Sequence, residues 1–359
     1  MKPLGTITMY FPFLDDESKE IMKHIMDEAY NYYDFVQRLN QRALEYNSPD
    51  LVAYFAVHHS AMLLDMESIE ALGRKYGHLL ILHPNLFYAS VFQGNIEDAA
   101  KVHEASDAII ASNPPDWLEA EARFLKFEVD LLTYPKTLFD TKNLETLTKM
   151  IETSPEFEFY ENILYDCLRE RASRDRDIVE VERCTELAIE SAEKVDDIVH
   201  LAYHLRTKFA YLQYSDRIEA KNVLLRVRDL FKSLGIRTGI ASALYHLSRL
   251  DAVRGEYNLS IERSMEVISI KESMGLPKAV YAIMLSTLHN MIGDFESGLE
   301  WARMAEKDFK HRPAVMPRAI MNQAWSLLEL GRATDASVLI ESVREDVLKS
   351  GQDILLAWF

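Results

Sequence analysis

Residues 255–264 (GEYNLSIERS), 293–302 (GDFESGLEWA) and 331–340 (GRATDASVLI) decide the fold of this chain. The three strings begin at glycines spaced 38 residues apart, and each glycine follows an apolar run with helical spacing. A fixed period of this size is typical of stacked structural repeats. We therefore predict a repeated supersecondary unit over about residues 237–350.

Each unit is predicted to be a hairpin of two helices. The upstream half of each unit carries mainly apolar or small residues at i, i+3 and i+4, the pattern of an amphipathic helix. These positions are Leu244, Leu247 and Ser248, then Ala282, Leu285 and Ser286, then Ile320, Gln323 and Ala324. The glycine suits a left-handed residue just past a helix C-terminus. Five residues later comes a small residue, at which the second helix is expected to approach the first closely: Ser260, Gly298 and Ala336.

This pattern resembles the tetratricopeptide repeat (TPR) family over roughly residues 237–350. The matching features are a large residue, a Leu-small pair, a Gly-Asp/Glu-aromatic turn and a small residue. In the first copy they are Leu244, Leu247-Ser248, Gly255-Glu256-Tyr257 and Ser260. The period is longer than the family's usual value of roughly 34 residues, and the third copy departs further. The resemblance implies a long-period variant and a right-handed superhelix of about eight antiparallel helical hairpins.

The domain organisation is predicted to be continuous. Residues 1–154 are expected to form an irregular helical part with degenerate repeats, and residues 155–359 the repeat array. Residues 3–13 are expected to be extended and to pack onto the first helices. Asp15 and Asp16 are expected to cap a helix from about 17 to 46, with a break near Asn31. The apolar tail 351–359 (GQDILLAWF) is expected either to cap the last hairpin or to begin another repeat.

Composition narrows the class of function. The net charge of -17 disfavours direct nucleic-acid binding, because phosphate recognition needs clustered Lys and Arg. Two cysteines, Cys167 and Cys184, fit a reducing compartment without disulfides. The sequence shows neither a signal-peptide pattern nor a membrane-spanning apolar run. We expect a cytoplasmic protein without a membrane contact; the oligomeric state stays open, a dimer included.

A candidate binding surface follows from the resemblance. In the TPR family the first helices of successive hairpins line a concave groove, and the groove positions carry over to residues of this chain. They are Lys208, Tyr211, Tyr245, His246, Arg249, Met284, Asn290, Arg318 and Asn322. Lys, Arg and Asn donors suit a carboxylate, and Tyr and Met suit apolar side chains. The alternative is a solvated groove whose charges pair within the chain.

Signs of catalysis or of a cofactor are weak in this sequence. His200 and His204 are four residues apart, but the cysteines show no Cys-x-x-Cys spacing and no HExxH motif occurs. Carboxylate pairs such as Glu119 and Glu121 are expected by chance in so acidic a chain. We expect no metal, no cofactor and no enzymatic activity.

Two functional hypotheses remain. The first is a non-enzymatic interaction module that binds a peptide or protein partner on its concave face. The second is a regulatory sensor, because the layout also resembles bacterial response-regulator aspartate phosphatases and the ligand-sensing repeat regions of large transcription activators.

Overall fold

The computed structural model of the chain describes residues 4–63, 65–92, 95–133, 141–153, 155–308 and 316–350. Over these ranges the regular secondary structure consists of α-helices and short 3-10 helices, with no β-strand. The predicted all-α class of helical hairpins is thus confirmed. The apolar tail at 351–359 lies outside the described residues.

The chain divides into two compact units. The first unit comprises the described residues up to Tyr211 together with Asp229–Ile236. Its helices are α1 (Leu4–Thr8), α2 (Asp16–Glu28), α3 (Tyr32–Glu45), α4 (Asp50–Leu63), α5 (Met66–Tyr76), α6 (His83–Phe92), α7 (Ala99–Ala111), α8 (Asp116–Thr133), α9 (Thr141–Thr153), α10 (Glu161–Asp175), α11 (Ile178–Lys194) and most of α12 (Ile198–Ser215). Short 3-10 helices lie at Phe11–Phe13, Leu80–Leu82, Ile96–Asp98 and Pro155–Tyr160.

The second unit comprises Leu212–Arg228 and the described residues from Arg237 onward. Its helices are most of α13 (Arg217–Leu234), then α14 (Arg237–Val253), α15 (Tyr257–Ser273), α16 (Ala279–Met291), α17 (Phe295–Asp308), α18 (Met316–Glu329) and α19 (Ala333–Ser350). The predicted boundary between residues 154 and 155 separates irregular from regular repeats. It does not refer to the division into two compact units, and it stays a prediction.

Polar residues begin the first helices as the sequence indicates. The Asp15 carboxylate accepts from the backbone N–H of Ser18 at 2.8 Å and caps α2. Asn31 accepts from the backbone N–H of Asp34 at 2.9 Å and caps α3. Each cap satisfies a donor that the first turn of a helix leaves unpaired. The predicted break near Asn31 is confirmed.

The prediction of an extended segment at residues 3–13 is wrong. The segment forms α1 and the 3-10 helix at Phe11–Phe13. Ile7 and Tyr10 are almost fully buried, and the Thr6 hydroxyl donates to Asp197 Oδ1 at 2.7 Å. The partner of Thr6 thus lies 191 residues away in the sequence. Contacts with distant helices decide this conformation, and they outweigh the low helix propensity of Thr and Ile.

Hairpins of the second unit turn at glycines. Gly255, Gly293 and Gly331 have φ values of +80°, +83° and +76°, and each lies just past the end of α14, α16 or α18. The predicted left-handed residue is confirmed at all three sites. The second helices begin two residues later, and consecutive helices from α14 to α19 pack against one another.

The hairpins close around small residues. Ser260 and Ser248 exchange two hydrogen bonds of 2.8 and 2.9 Å between side chain and backbone. A Cβ atom on Gly298 would lie 2.0 Å from Asn290 Oδ1, so α16 and α17 meet at a point where a larger residue must displace the Asn290 amide. Ala336 is completely buried. These contacts confirm the predicted close approach.

Buried aromatic side chains dominate the core of the first unit. Tyr10, Phe55, Phe157 and Tyr160 are each at most 1% exposed, and Tyr10 lies 4.7 Å from Phe55 between ring centroids. Several of these rings carry hydroxyl groups, so the first unit buries polar atoms within its core and must satisfy them internally. Among the described helices, none has the length and apolar character needed to cross a bilayer.

Candidate functional site

The predicted groove residues of the second unit fall on α14, α16 and α18. Arg249 and Arg318 are exposed, and neither forms an ion pair within the described part of the chain. The Arg249 guanidinium lies 5.9 Å from the centroid of the Tyr245 ring. Tyr245, His246 and Met284 are half-buried. The first helices α14 and α18 thus carry two exposed arginines, one of which lies next to an aromatic ring.

Asn290 and Asn322 have a different environment, because both side chains are buried between α16 and α18. Asn322 Nδ2 donates to Thr287 Oγ1 at 2.9 Å and to the Ile283 carbonyl at 3.2 Å. Asn290 Oδ1 accepts from Ser326 Oγ at 2.8 Å. The two amides connect neighbouring first helices, so a ligand reaches them only by displacing these bonds.

The two remaining predicted residues lie in the first unit, on α12. Lys208 Nζ forms an ion pair with Glu186 on α11 at 2.7 Å. Tyr211 donates its hydroxyl hydrogen to the same carboxylate at 3.0 Å. Lys208 is therefore already neutralised within the chain, unlike Arg249 and Arg318.

A second polar constellation occupies the first unit, on α4, α6, α8, α10 and α12. Its members recur at helical spacing, with Asp197 directly before α12: Tyr54 and His58, Asn85 and Tyr88, Glu121 and Glu128, Asn162, Asp166 and Arg169, and finally Asp197, His200 and His204. We call this set the polar cluster. It contains four carboxylates, three imidazoles and one guanidinium in a largely enclosed setting.

Asp197 is the centre of one half of the polar cluster. Its carboxylate is fully buried and accepts from the Thr6 hydroxyl, from the His200 backbone N–H at 3.2 Å and from Asn162 Nδ2 at 3.4 Å. His200 Nδ1 lies 2.6 Å from Asp197 Oδ2. Burial alone raises the pKa of this carboxyl, but the charge and hydrogen bond of His200 outweigh it and lower the pKa to about 2.

The same pairing acts on the imidazole of His200. Burial favours the neutral ring, but the charge of Asp197 and the hydrogen bond to it raise the pKa of His200 above its ordinary value. His204 stacks 6.2 Å from His200, and its Nδ1 lies 3.6 Å from Asp166 Oδ1. Arg169 Nε donates to that same oxygen at 2.9 Å. Burial opposes ionisation of Asp166, yet His204 and Arg169 hold its pKa well below the usual range.

Glu121 is the centre of the other half. Its Oε1 accepts from the Tyr160 hydroxyl at 2.6 Å and from the Tyr10 hydroxyl at 3.2 Å. Tyr10 Oη also lies 3.4 Å from His58 Nε2, and His58 Nδ1 lies 3.9 Å from Glu121 Oε2. Burial lowers the pKa of His58, so its ring is neutral near pH 7.

Some polar atoms next to Glu121 are both buried and unpaired. They are Tyr54 Oη, His58 Nδ1 and Asn85 Nδ2, none of which makes a hydrogen bond or touches solvent. Tyr54 Oη faces Asn85 and Glu121, and the His58 ring faces Asn85, but these contacts lack hydrogen-bonding geometry at the three atoms. Buried polar atoms are nearly always paired, so three unpaired atoms in one place are an unusual feature of this core.

Glu128 lies two helical turns after Glu121, on the same face of α8. Its carboxylate accepts a hydrogen bond from the Tyr88 hydroxyl, and most of each side chain is shielded from solvent. Burial raises the pKa of Glu128, although the Tyr88 bond partly opposes this. Within the described part of the chain, neither Glu121 nor Glu128 has a lysine or arginine partner.

The sequence contains a signal for this cluster. Helix α4 reads DLVAYFAVHHSAML, and most of its positions are buried. The two histidines stand within an otherwise mainly apolar run. Polar residues at helical spacing on an apolar face indicate a buried network, whereas reasoning from exposed groove positions overlooks them. The structure provides Asp197, Asp166 and Asn162 as neighbours of His200 and His204. The described residues show no group of His, Cys, Asp and Glu side chains arranged to hold a metal ion.

No protein-family model matches the chain, and no curated protein is similar to it in sequence. Solved structures are similar in fold. The apo form of RapI matches 76% of this chain and 78% of its own with a TM-score of 0.60 and 12% identity. A signal transduction ATPase with numerous domains (STAND protein) from Pyrococcus horikoshii, which has a tetratricopeptide repeat sensor, matches with a TM-score of 0.56 and 13% identity.

The second match covers 97% of this chain but 49% of the STAND protein, so this chain spans about half the length of that protein. At these identities the likeness concerns the fold alone. The chain therefore has an all-α fold of TPR-like helical repeats.

Proposed function

We propose that the chain is a non-enzymatic interaction module, a long-period TPR variant that binds a peptide or protein segment inside the cell. The supporting observation is the exposure of Arg249 and Arg318 on α14 and α18, without acidic partners in the described residues. Guanidinium groups bind carboxylates through paired, charge-assisted hydrogen bonds. In a chain of net charge -17, two such groups on first helices suit an acidic segment or a carboxyl terminus.

Neighbouring side chains extend this surface. Tyr245 lies edge-on to Tyr281 at 5.2 Å between ring centroids, and Met284 is half-buried on the next first helix. Tyr and Met side chains accommodate apolar residues of a bound segment. The proposed contacts are therefore Tyr245, His246, Arg249, Met284 and Arg318, with the buried Asn290 and Asn322 in supporting positions. Lys208 and Tyr211 belong to the first unit, where both pair with Glu186.

The test compares two variants with the same change in net charge. Arg249→Glu/Arg318→Glu reverses the proposed contacts, whereas Arg303→Glu/Lys307→Glu reverses two exposed cations on the second helix α17. Each protein is used to capture partners from the native lysate, and the captured protein is purified and titrated. We expect the first variant to weaken binding by at least ~10-fold and the control to bind like the wild type. Equal binding by all three proteins would contradict the proposal.

The second candidate function, a regulatory sensor, is favoured by the unpaired buried atoms of the polar cluster. A sensor binds a small ligand within the fold, and its conformation or stability changes on binding. The STAND protein contains a tetratricopeptide repeat sensor, and this chain is similar in fold to about half of that protein.

A further inference from the structure

We propose that the first unit contains a binding site for a primary ammonium group, formed by Tyr54, His58, Asn85 and Glu121, with Glu128 at its entrance. This site lies outside the surface proposed above for a peptide partner, and either proposal can fail without the other. Four observations lead to it.

The first observation is the tautomer of His58. The hydroxyl of Tyr10 has one hydrogen and donates it to Glu121 Oε1. We assign the ring hydrogen of His58 to Nε2, so that the Tyr10 hydroxyl accepts from His58 while it donates to Glu121. In a neutral ring this leaves a lone pair on Nδ1, the unpaired atom. Two acceptors, His58 Nδ1 and Glu121 Oε2, thus lie 3.9 Å apart, and His58 Nδ1 makes no hydrogen bond.

The second observation is the geometry of that gap. One nitrogen with two or more N–H groups can bond both atoms if it lies about 2.8 Å from each. An ammonium group has three such donors. The third can reach the Tyr54 hydroxyl, which is also unpaired and faces Glu121. A ligand hydroxyl or carbonyl beside the ammonium group would accept from Asn85 Nδ2.

The third observation is the charge balance. Within the described residues, His200 pairs with Asp197 and Arg169 pairs with Asp166, while Glu121 and Glu128 have no cationic partner. Two carboxylates in a poorly solvated setting favour a cation over an anion. For the same reason, a positively charged ammonium group is favoured over a neutral amide.

The fourth observation concerns the walls and the entrance. Tyr54 stacks on His58 at 5.9 Å and lies edge-on to Trp117 at 5.6 Å, so aromatic rings enclose one side. Aromatic faces attract cations. Glu128, Tyr88 and His200 are partly exposed, so solvent reaches the polar cluster at this end. We place the entrance of the site at this end, next to Glu128.

Two sources of an ammonium group suit this site: a small amine and the amino terminus of a peptide. We distinguish them with two pairs of probes, each with a neutral counterpart: putrescine with butanediol, and glycinamide with N-acetylglycinamide. Calorimetric titration of the full chain measures binding. We expect at least one amine to bind ~10-fold or more tightly than its neutral counterpart. Binding of putrescine alone indicates a small amine, and binding of glycinamide alone a peptide terminus.

Variants test the assignment of the residues. Glu121→Gln should weaken amine binding by at least ~10-fold, because the amide keeps the size but removes the charge. Glu119→Gln is the matched control on α8, since Glu119 pairs with Arg123 at 2.6 Å and takes no part in the site. Glu128→Gln, on a partly exposed residue, provides a second test if Glu121→Gln does not fold.

A measurement on the wild type completes the test. The ¹⁵N resonance of His58 Nδ1 should move as the atom accepts a hydrogen bond from the amine. Absence of binding by both amines at millimolar concentrations would overturn the proposal. So would amine binding that leaves this resonance unchanged, or that is equally strong in the Glu121→Gln and Glu128→Gln variants.

Discussion

At the scale of a residue, Asp197 shows how this fold keeps a charge in its interior. Thr6, Asn162 and two N–H groups of His200 all donate to the carboxylate. Burying a carboxylate costs several kcal/mol unless partners replace its hydration. Here the donors come from α1, α10 and α12, so this side chain holds three separate segments of the first unit together.

Replacing Asp197 by asparagine tests this role. The amide Oδ1 can still accept from Thr6 and from the backbone of His200, but its NH2 group faces two other donors. We expect the free energy of unfolding to fall by about 3 kcal/mol, the loss typical of a broken buried ion pair. Urea denaturation measures this loss. A variant as stable as the wild type would contradict it; Asp196→Asn, at the adjacent position, is the control.

The pH dependence of that loss follows from the shifted pKa values. The pKa of Asp197 falls from 3.8 to about 2 on folding, so its contribution is present above pH 3.8 and disappears as the pH falls through 2. The pKa of His200 rises above 6.5, so its contribution is present below pH 6.5 and disappears as the pH rises through the folded value. The stability difference between wild type and variant should therefore be largest between about pH 4 and 6.5.

At the scale of an element, the approach of α17 to α16 depends on one missing side chain. Gly298 faces Asn290, whose amide oxygen also accepts from Ser326 on α18. Three helices thus meet at one polar contact. Asn322 on α18 adds bonds to Thr287 and to the Ile283 carbonyl on α16. Amide side chains, and not only apolar ones, connect neighbouring repeats in the second unit.

The substitution Gly298→Ala tests this contact. The added methyl group overlaps Asn290 Oδ1 and must displace the amide from Ser326. We expect a loss of about 1–3 kcal/mol, as for overpacking combined with a broken buried hydrogen bond. Glu296→Ala, at an exposed position of the same helix, is the control. Since alanine favours helix over glycine, an unchanged or increased stability would show that the helices shift apart at little cost.

At the scale of the whole molecule, the acidic composition sets the long-range electrostatics. The chain has 57 acidic and 40 basic side chains, apart from histidine. Many of the described basic groups are already paired within the chain, among them Lys208, Arg169 and Arg123. The carboxylates in excess of the basic groups repel one another more in the compact state than in the unfolded chain.

Added salt should therefore stabilise this protein. Raising sodium chloride from about 0.05 to 0.5 M shortens the range of repulsion to a few ångströms. We expect the midpoint of thermal unfolding to rise by a few degrees, equivalent to roughly 1 kcal/mol. The same series in sodium sulfate separates screening from the effect of excluded anions. A midpoint that falls with salt would show that the local ion pairs outweigh the repulsion.

Local features of this chain could be predicted from its sequence, because their causes lie within a few residues. The left-handed conformation of Gly255, Gly293 and Gly331 depends on the glycine itself and on the helix before it. The caps at Asp15 and Asn31 bond backbone groups three residues away. Helical periodicity, turn glycines and small contact residues together were sufficient to predict an all-α fold of hairpins.

Only the tertiary structure decided which polar groups are buried and which remain available. Helical spacing indicates the face on which a residue lies, but not what covers that face. Asn322 and Arg318 lie on one helix, yet the first is buried against α16 and the second is exposed. The helical form of the N-terminal segment and the polar cluster depend on partners up to 191 residues apart. Burial and hydrogen-bond partners are properties of the assembled helices, and no local stretch of sequence contains them.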